Sequence, residues 1–169
     1  MDEQPEAPQS RDPGEVGLEA WTLFPLTHVP YRLLLLAKML ERQTVAQLRE
    51  TTDLSLAEWR VLAHLGVMGE KTASALSMVA FADRAEVSRA LAGLERRGLV
   101  GRRPNPRNRK SPLLFLTDKG GDLQRRVQQQ RVVFFAEVTA DLCSEELALM
   151  DKWLLKMALR VNRAGPQSR

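Results

Sequence analysis

The chain has 169 residues, 44% of them apolar, and a net charge of +4, which suits one soluble globular domain. Its single cysteine, Cys143, excludes an intrachain disulfide and a cysteine-based zinc site. No apolar run approaches the roughly 18 residues of a membrane helix and no charged-then-apolar leader opens the sequence, so a cytoplasmic protein without membrane contact is expected.

Residues 1–17 are rich in proline, glycine and acidic side chains, and Pro5, Pro8 and Pro13 break any helix, so a disordered tail is expected. The stretch Trp21-Thr-Leu-Phe-Pro-Leu26 is unusually apolar for a lead-in and is expected to be buried, with a second subunit as the candidate cover. A first helix is predicted from Pro30 to about Glu50. Proline suits a first helical turn, and Leu33, Leu36, Ala37 and Leu40 recur at helical spacing. It belongs to an N-terminal region spanning 18–53.

A region spanning 54–117 follows. Ser55-Leu-Ala-Glu58 has the capping pattern in which hydroxyl and carboxylate satisfy the orphan N–H groups of a helix start. Trp59, Leu62, Ala63 and Leu65 carry that second helix toward Gly66 and Gly69. Thr72 caps a short third helix through Val79. Asp83 caps a fourth, with Glu86 three residues on, and Gly98 ends it. The period then changes. Leu99 and Val100, then Leu113 to Leu116, flank the loop Arg102–Pro112, which holds three prolines and five basic residues. This reads as a β-hairpin with a long basic tip. Thr117 caps a long helix to about Asp141, and Ser144 caps the last, to about Val161. These two helices, within 118–163, exceed what a minimal binding module needs and are assigned to dimerisation. Residues 164–169 read as a frayed end.

The positive charge is local. From Arg84 to Lys110 nine basic residues face only Glu86 and Glu95, a net +7 that leaves −3 for the rest of the chain. On a helical wheel of about 100° per residue, Val87, Ala90, Leu91 and Leu94 share the inward arc of the fourth helix. Arg84, Ala85, Ser88, Arg89, Ala92 and Arg96 share the opposite one. A basic, small and hydroxylic face of this kind fits a major groove about 12 Å wide. A short helix and tight link precede it, as in helix-turn-helix units, and the basic hairpin follows it. Arg103, Arg107, Arg109 and Lys110 on that hairpin are placed to grip phosphates or an adjacent minor groove. Double-stranded DNA is the expected partner. A solvated basic face without a partner is the alternative that charge alone leaves open.

Three stretches together resemble the MarR family of transcriptional regulators. They are Leu54-Ser-Leu-Ala-Glu-Trp-Arg-Val-Leu-Ala-His-Leu65, then Glu86-Val-Ser-Arg-Ala-Leu-Ala-Gly-Leu-Glu-Arg-Arg-Gly-Leu-Val100, then Leu116-Thr-Asp-Lys-Gly120. Ser144-Glu-Glu-Leu147 resembles a late acidic helix start of the same family. The resemblance implies a mainly α, six-helix winged helix-turn-helix protein with a small β-hairpin wing. It implies a homodimer straddling a pseudo-palindromic operator. Trp21, Phe24, Leu26, Leu147, Leu154 and Leu155 are candidates for its interface, with intrachain core as their other reading. The family's wing usually carries Asp-x-Arg, and the positions aligned with it here are Asn108 and Lys110. The brace is therefore uncharged and the lysine lacks a planar fork, with Arg107 and Arg109 available as substitutes.

Proteins similar to this family commonly act as repressors and release DNA on binding a small aromatic acid, a phenol or an acyl-CoA. His28, Tyr31, Arg32, Trp59 and His64 are the candidate effector contacts, Arg32 for a carboxylate and Trp59 for a ring. Three of them have a plainer role: Trp59 in the core, His28 and Arg32 in solvent. A thiol-redox repressor using Cys143 and a ligand-independent architectural module are the alternatives, and an activator is not distinguished from a repressor. No catalytic, metal or cofactor motif is present, so no enzyme is expected.

Overall fold

The computed structural model describes residue 21, residues 28–80 and residues 83–164. The expected tail at 1–17, Phe24, Leu26 and the end beyond Ala164 lie outside these. The chain divides into two compact units, Met1–Ala57 and Glu58–Arg169. The expected regions 54–117 and 118–163 thus fall largely within the second.

The first unit is carried by α1, Val29–Thr51, with proline in its first turn as the sequence predicts. Its buried residues are Thr44 and Leu48. Thr44 is tolerated because its hydroxyl donates to the Leu40 carbonyl at 2.7 Å, satisfying a polar group that burial would otherwise penalise. Leu36 and Ala37, expected on an inward stripe, are exposed.

The second unit contains most of α2 (Leu56–Met68), then α3 (Ala73–Ala80), α4 (Arg84–Arg96), β1 (Val100–Arg103), β2 (Leu113–Leu116), α5 (Asp118–Val138) and α6 (Ser144–Ala164). Its core joins Leu62 and Leu65 of α2, Leu76 of α3, Leu91 and Leu94 of α4, Leu99, Leu114 of β2 and Val127 of α5. Each fully buried leucine contributes about 1.5–3 kcal/mol relative to exposure. The strands pair antiparallel with Val100 opposite Leu116 and Arg103 opposite Leu113. A third, single-residue rung was not read from the sequence: Lys71 exchanges both backbone hydrogen bonds with Leu114.

The corner linking α4, the hairpin and α5 is tightly specified. Gly98 takes a positive φ of 66°. Its N–H donates to Glu95 O and that of Leu99 to Leu94 O, the paired closure that a left-handed residue permits after a helix. Thr117 caps α5 by accepting from Gly120 N–H at 3.1 Å, and its hydroxyl donates to Gly98 O at 2.7 Å. Gly120 lies so close to the residue before β1 that an added Cβ would stand 1.9 Å from the Leu99 carbonyl oxygen.

The late helices differ from expectation in detail. α5 ends at Val138, before Asp141, and turns follow. Cys143, rather than Ser144, precedes α6, and its N–H donates to Glu146 Oε2 at 2.9 Å. α6 extends through Ala164, so that residue is helical. Cys143 is exposed. The thiol lies in the segment that connects α5 to α6.

Replacing Gly120 with alanine should push α5 off the Leu99 carbonyl. A loss of about 1–3 kcal/mol in unfolding free energy is expected by analogy with overpacked cores. Thermal or urea melts check this, and a stability equal to that of the unaltered chain would refute the close approach.

Candidate nucleic-acid interface

Thr72 caps α3 by accepting from Ala75 N–H at 3.3 Å. Asp83 caps α4 by accepting from Glu86 N–H at 2.6 Å. A carboxylate at this end also suits the positive pole of the helix dipole. Val87, Ala90, Leu91 and Leu94 turn into the core. Arg84, Ala85, Ser88, Arg89, Ala92 and Arg96 are all exposed, so the outward arc is the one that the helical wheel defines.

The wing tip is an ordered loop built on two asparagines. Asn105 is 7% exposed. Its amide donates to Ser111 O at 2.9 Å and its side-chain oxygen accepts from Arg107 N–H at 3.0 Å. Asn108 accepts from Lys110 N–H at 3.1 Å. An uncharged asparagine therefore shapes the turn through a local side-chain-to-backbone bond, at the position that the resemblance aligns with the family's usual aspartate. Asn105 was missed in the sequence, where only its place between Pro104 and Pro106 marked it.

The nine cations from Arg84 to Lys110 divide by partner. Arg102 Nε donates to Glu95 Oε1, Arg103 pairs with Glu70, and Arg97 stands 4.0 Å from Glu58. The hydrogen bond to Glu95 holds the Arg102 proton more firmly than usual, against a smaller opposing effect of burial. Arg84, Arg89, Arg96, Arg107, Arg109 and Lys110 are exposed and enter no side-chain ion pair or hydrogen bond among the described residues. Arg103 alone among the expected DNA contacts already has a carboxylate partner.

The expected effector residues divide between the two units. In the first unit, His28 is exposed, Tyr31 is half-buried, and the Arg32 guanidinium lies 5.7 Å from the centroid of the Trp21 ring. In the second, Trp59 is a core residue at 7% exposure, and His64 Nδ1 is 2.6 Å from the Arg60 carbonyl oxygen. A cleft of about 570 Å³ lies among Leu65, Glu70, Phe115, Thr117 and Arg125. Another, of about 530 Å³, runs along Lys38, Arg42 and Arg49 of α1. None of the five expected residues lines either. Arg131 escaped sequence reasoning. It is 4% exposed, with its guanidinium 4.7 and 4.5 Å from the Phe134 and Phe135 rings, and burial lowers its proton affinity. Among the described residues no group of three His, Cys, Asp or Glu side chains is placed to hold a metal, and no helix is long and apolar enough to cross a membrane.

A capped short helix, a capped helix with a basic outer face and an adjoining cationic hairpin define a winged helix-turn-helix protein. A family model described as "MarR family" matches residues 52–111. An uncharacterized HTH-type transcriptional regulator of Bacillus subtilis, YdgJ, is 30% identical over 111 residues, covering 66% of this chain and 68% of its own. Among solved structures, Streptococcus pneumoniae FabT in complex with DNA superposes with a TM-score of 0.70 at 21% identity, over 83% of this chain and 99% of that one. A cysteine-to-serine mutant of MarR from E. coli, complexed with operator DNA, gives 0.63 at 25% identity, over 79% and 99%. The chain belongs to the MarR family, and it is a DNA-binding transcriptional regulator.

Asn105→Ala removes two side-chain hydrogen bonds from a buried site and should loosen the wing tip locally, each lost bond being worth about 0.5–1.5 kcal/mol. Faster proteolytic cleavage at Arg107 or Arg109, with little change in the main melting transition, is the expected result. Unaltered cleavage would show that these bonds do not order the loop.

Proposed function

We propose that the protein is a homodimeric repressor that leaves a pseudo-palindromic operator when a small aromatic acid, a phenol or an acyl-CoA binds. One observation carries the DNA part of this reading. Of the nine cations from Arg84 to Lys110, the six without an acidic partner among the described residues lie on the outer arc of α4 or at the wing tip. Arginine forks on the helix suit guanine edges, and the tip suits phosphates or a neighbouring minor groove. The cytoplasm, where such a regulator meets the chromosome, is its proposed location.

The dimer rests on uncovered apolar surface. α6 buries none of its residues within the chain, although Leu149, Met150, Trp153, Leu154, Leu155 and Leu159 are all large and exposed. A patch of this kind on a soluble chain marks an interaction surface, and a second copy supplies a self-complementary one. Two recognition helices would then meet successive major grooves about 34 Å apart. The effector rests on chemistry at the head of α1, where Arg32 lies beside the Trp21 ring with Tyr31 and His28 near in sequence. A guanidinium and aromatic faces suit an aromatic carboxylate. A ligand that prefers a DNA-incompetent spacing of the two recognition helices lowers operator affinity by linkage. The exposure of Cys143 supports a second reading, in which oxidation of this thiol releases DNA.

A gel-shift on the DNA upstream of the protein's own gene, titrated with aromatic acids and their CoA thioesters, tests binding and release together. Retention of the complex throughout the panel would sink the ligand model. Cys143→Ser should release normally, whereas loss of regulation in that variant would establish the thiol reading. Arg89→Ala should weaken specific binding by about 1–3 kcal/mol if its fork reads a base, and equal losses on specific and random duplexes would refute base reading. Trp153→Glu should shift the protein from dimer to monomer in sedimentation, and an intact dimer would remove α6 from the interface.

A further inference from the structure

Glu95 is a carboxylate in the last turn of α4, the helix whose outer face is otherwise basic. Its charge repels phosphate, so electrostatic attraction to DNA does not account for its position. Its partner does. Arg102 lies on β1, and its Nε donates to Glu95 Oε1 across the corner where the chain passes from the helix into the wing. Residues 102–112 contain no aspartate or glutamate, so the wing offers Arg102 no internal counter-charge. The tip is shaped instead by the neutral side chains of Asn105 and Asn108. Glu95 is therefore the acidic group that ties the wing strand to the recognition helix. Gly101, next to Arg102, is covered by the Phe115 ring, which would stand 2.4 Å from an added Cβ. The strand is thus held by packing on one side and by the ion pair on the other.

We propose that Glu95 is a positioning residue for DNA recognition: by holding Arg102 it sets the wing against α4 so that helix and hairpin engage the same duplex in register. This rests on the reading of α4 and the wing as the DNA contacts. The pair is partly exposed, with side chains 27% and 52% accessible for Glu95 and Arg102. Such pairs are weak, so the effect is a several-fold change in discrimination rather than loss of binding. Removing the carboxylate also releases Arg102 toward phosphate. Each added phosphate contact steepens the dependence of log affinity on log salt by about 0.9.

The test is a double-mutant cycle in the full chain. A duplex selected from a random-sequence pool by the unaltered protein is compared with a shuffled duplex of the same composition. Glu95→Gln should bind the shuffled duplex at least as well, with a steeper salt slope. Its ratio of selected to shuffled affinity should fall about three- to fivefold. In an Arg102→Gln background the same Glu95→Gln change should leave the ratio unaltered, because the partner is gone. A ratio unchanged in Glu95→Gln, equal losses on both duplexes, or the same loss in both backgrounds would each overturn the proposal. Circular-dichroism melts confirm that the surface variants stay folded. If the unaltered protein enriches no sequence from the pool, the DNA reading of α4 and the wing itself fails, a result distinct from all of these.

Discussion

The binding unit hangs on the contact between α5 and the peptide group of Leu99. That carbonyl accepts the Thr117 N–H at 3.1 Å and stands where only a glycine at position 120 leaves room. The preceding residue, Gly98, turns the chain out of α4 in a left-handed conformation and gives its own carbonyl to the Thr117 hydroxyl. Lys119 adds a bond from its ammonium to the Arg97 carbonyl at 3.1 Å. The end of the recognition helix, both strands of the wing and the start of α5 thus meet over a few residues. Because these are short backbone contacts, small displacements are costly. The Leu-Thr-x-x-Gly pattern has a physical cause here: a strand residue, a cap and a close approach.

Around this corner the positive charge is sorted. Arg97, Arg102 and Arg103 are engaged by Glu58, Glu95 and Glu70, which come from α2, α4 and the residue before the Lys71 rung. These surface pairs add little stability, each about 0–1 kcal/mol. They do determine which cations present open charge to a phosphate. Counterion release scales with the number of phosphates neutralised, so in the proposed complex the six of these nine cations without acidic partners would outweigh the three paired ones in affinity. The paired ones would bear on geometry.

The second half of the chain has a different balance. α6 is strongly amphipathic in sequence yet buries nothing within the chain, and Val132, Val133, Phe135 and Val138 of α5 are also exposed. Leaving this much apolar surface in water is unfavourable at roughly 25 cal/mol per Å². The proposed dimer removes that cost and fixes the distance between two recognition helices by the same contact. An effector that alters the contact alters the distance, which links regulation to the surface that holds the proposed dimer together.

Local rules determined much of this in the sequence. Capping residues Thr72, Asp83 and Thr117, the glycine after α4 and the inward and outward arcs of α4 follow from hydrogen-bonding and periodicity within a few residues, and the structure has them where those rules place them. Other features depended on groups distant in the chain. Periodicity does not say that Leu36 faces solvent, that Lys71 forms a third rung, that α5 ends at Val138 or that Cys143 is exposed. It does not say that Glu58 reaches toward Arg97 or that Arg103 is already paired with Glu70, since those partners lie some thirty or more residues apart. The sequence by itself determined where helices begin, which face of α4 is basic and which family the chain resembles, because those depend on neighbours along the backbone. Only the tertiary structure decided which arginines are neutralised and how the wing is tied to the helix, because charges and carbonyls act through space on whatever folding brings within a few ångströms.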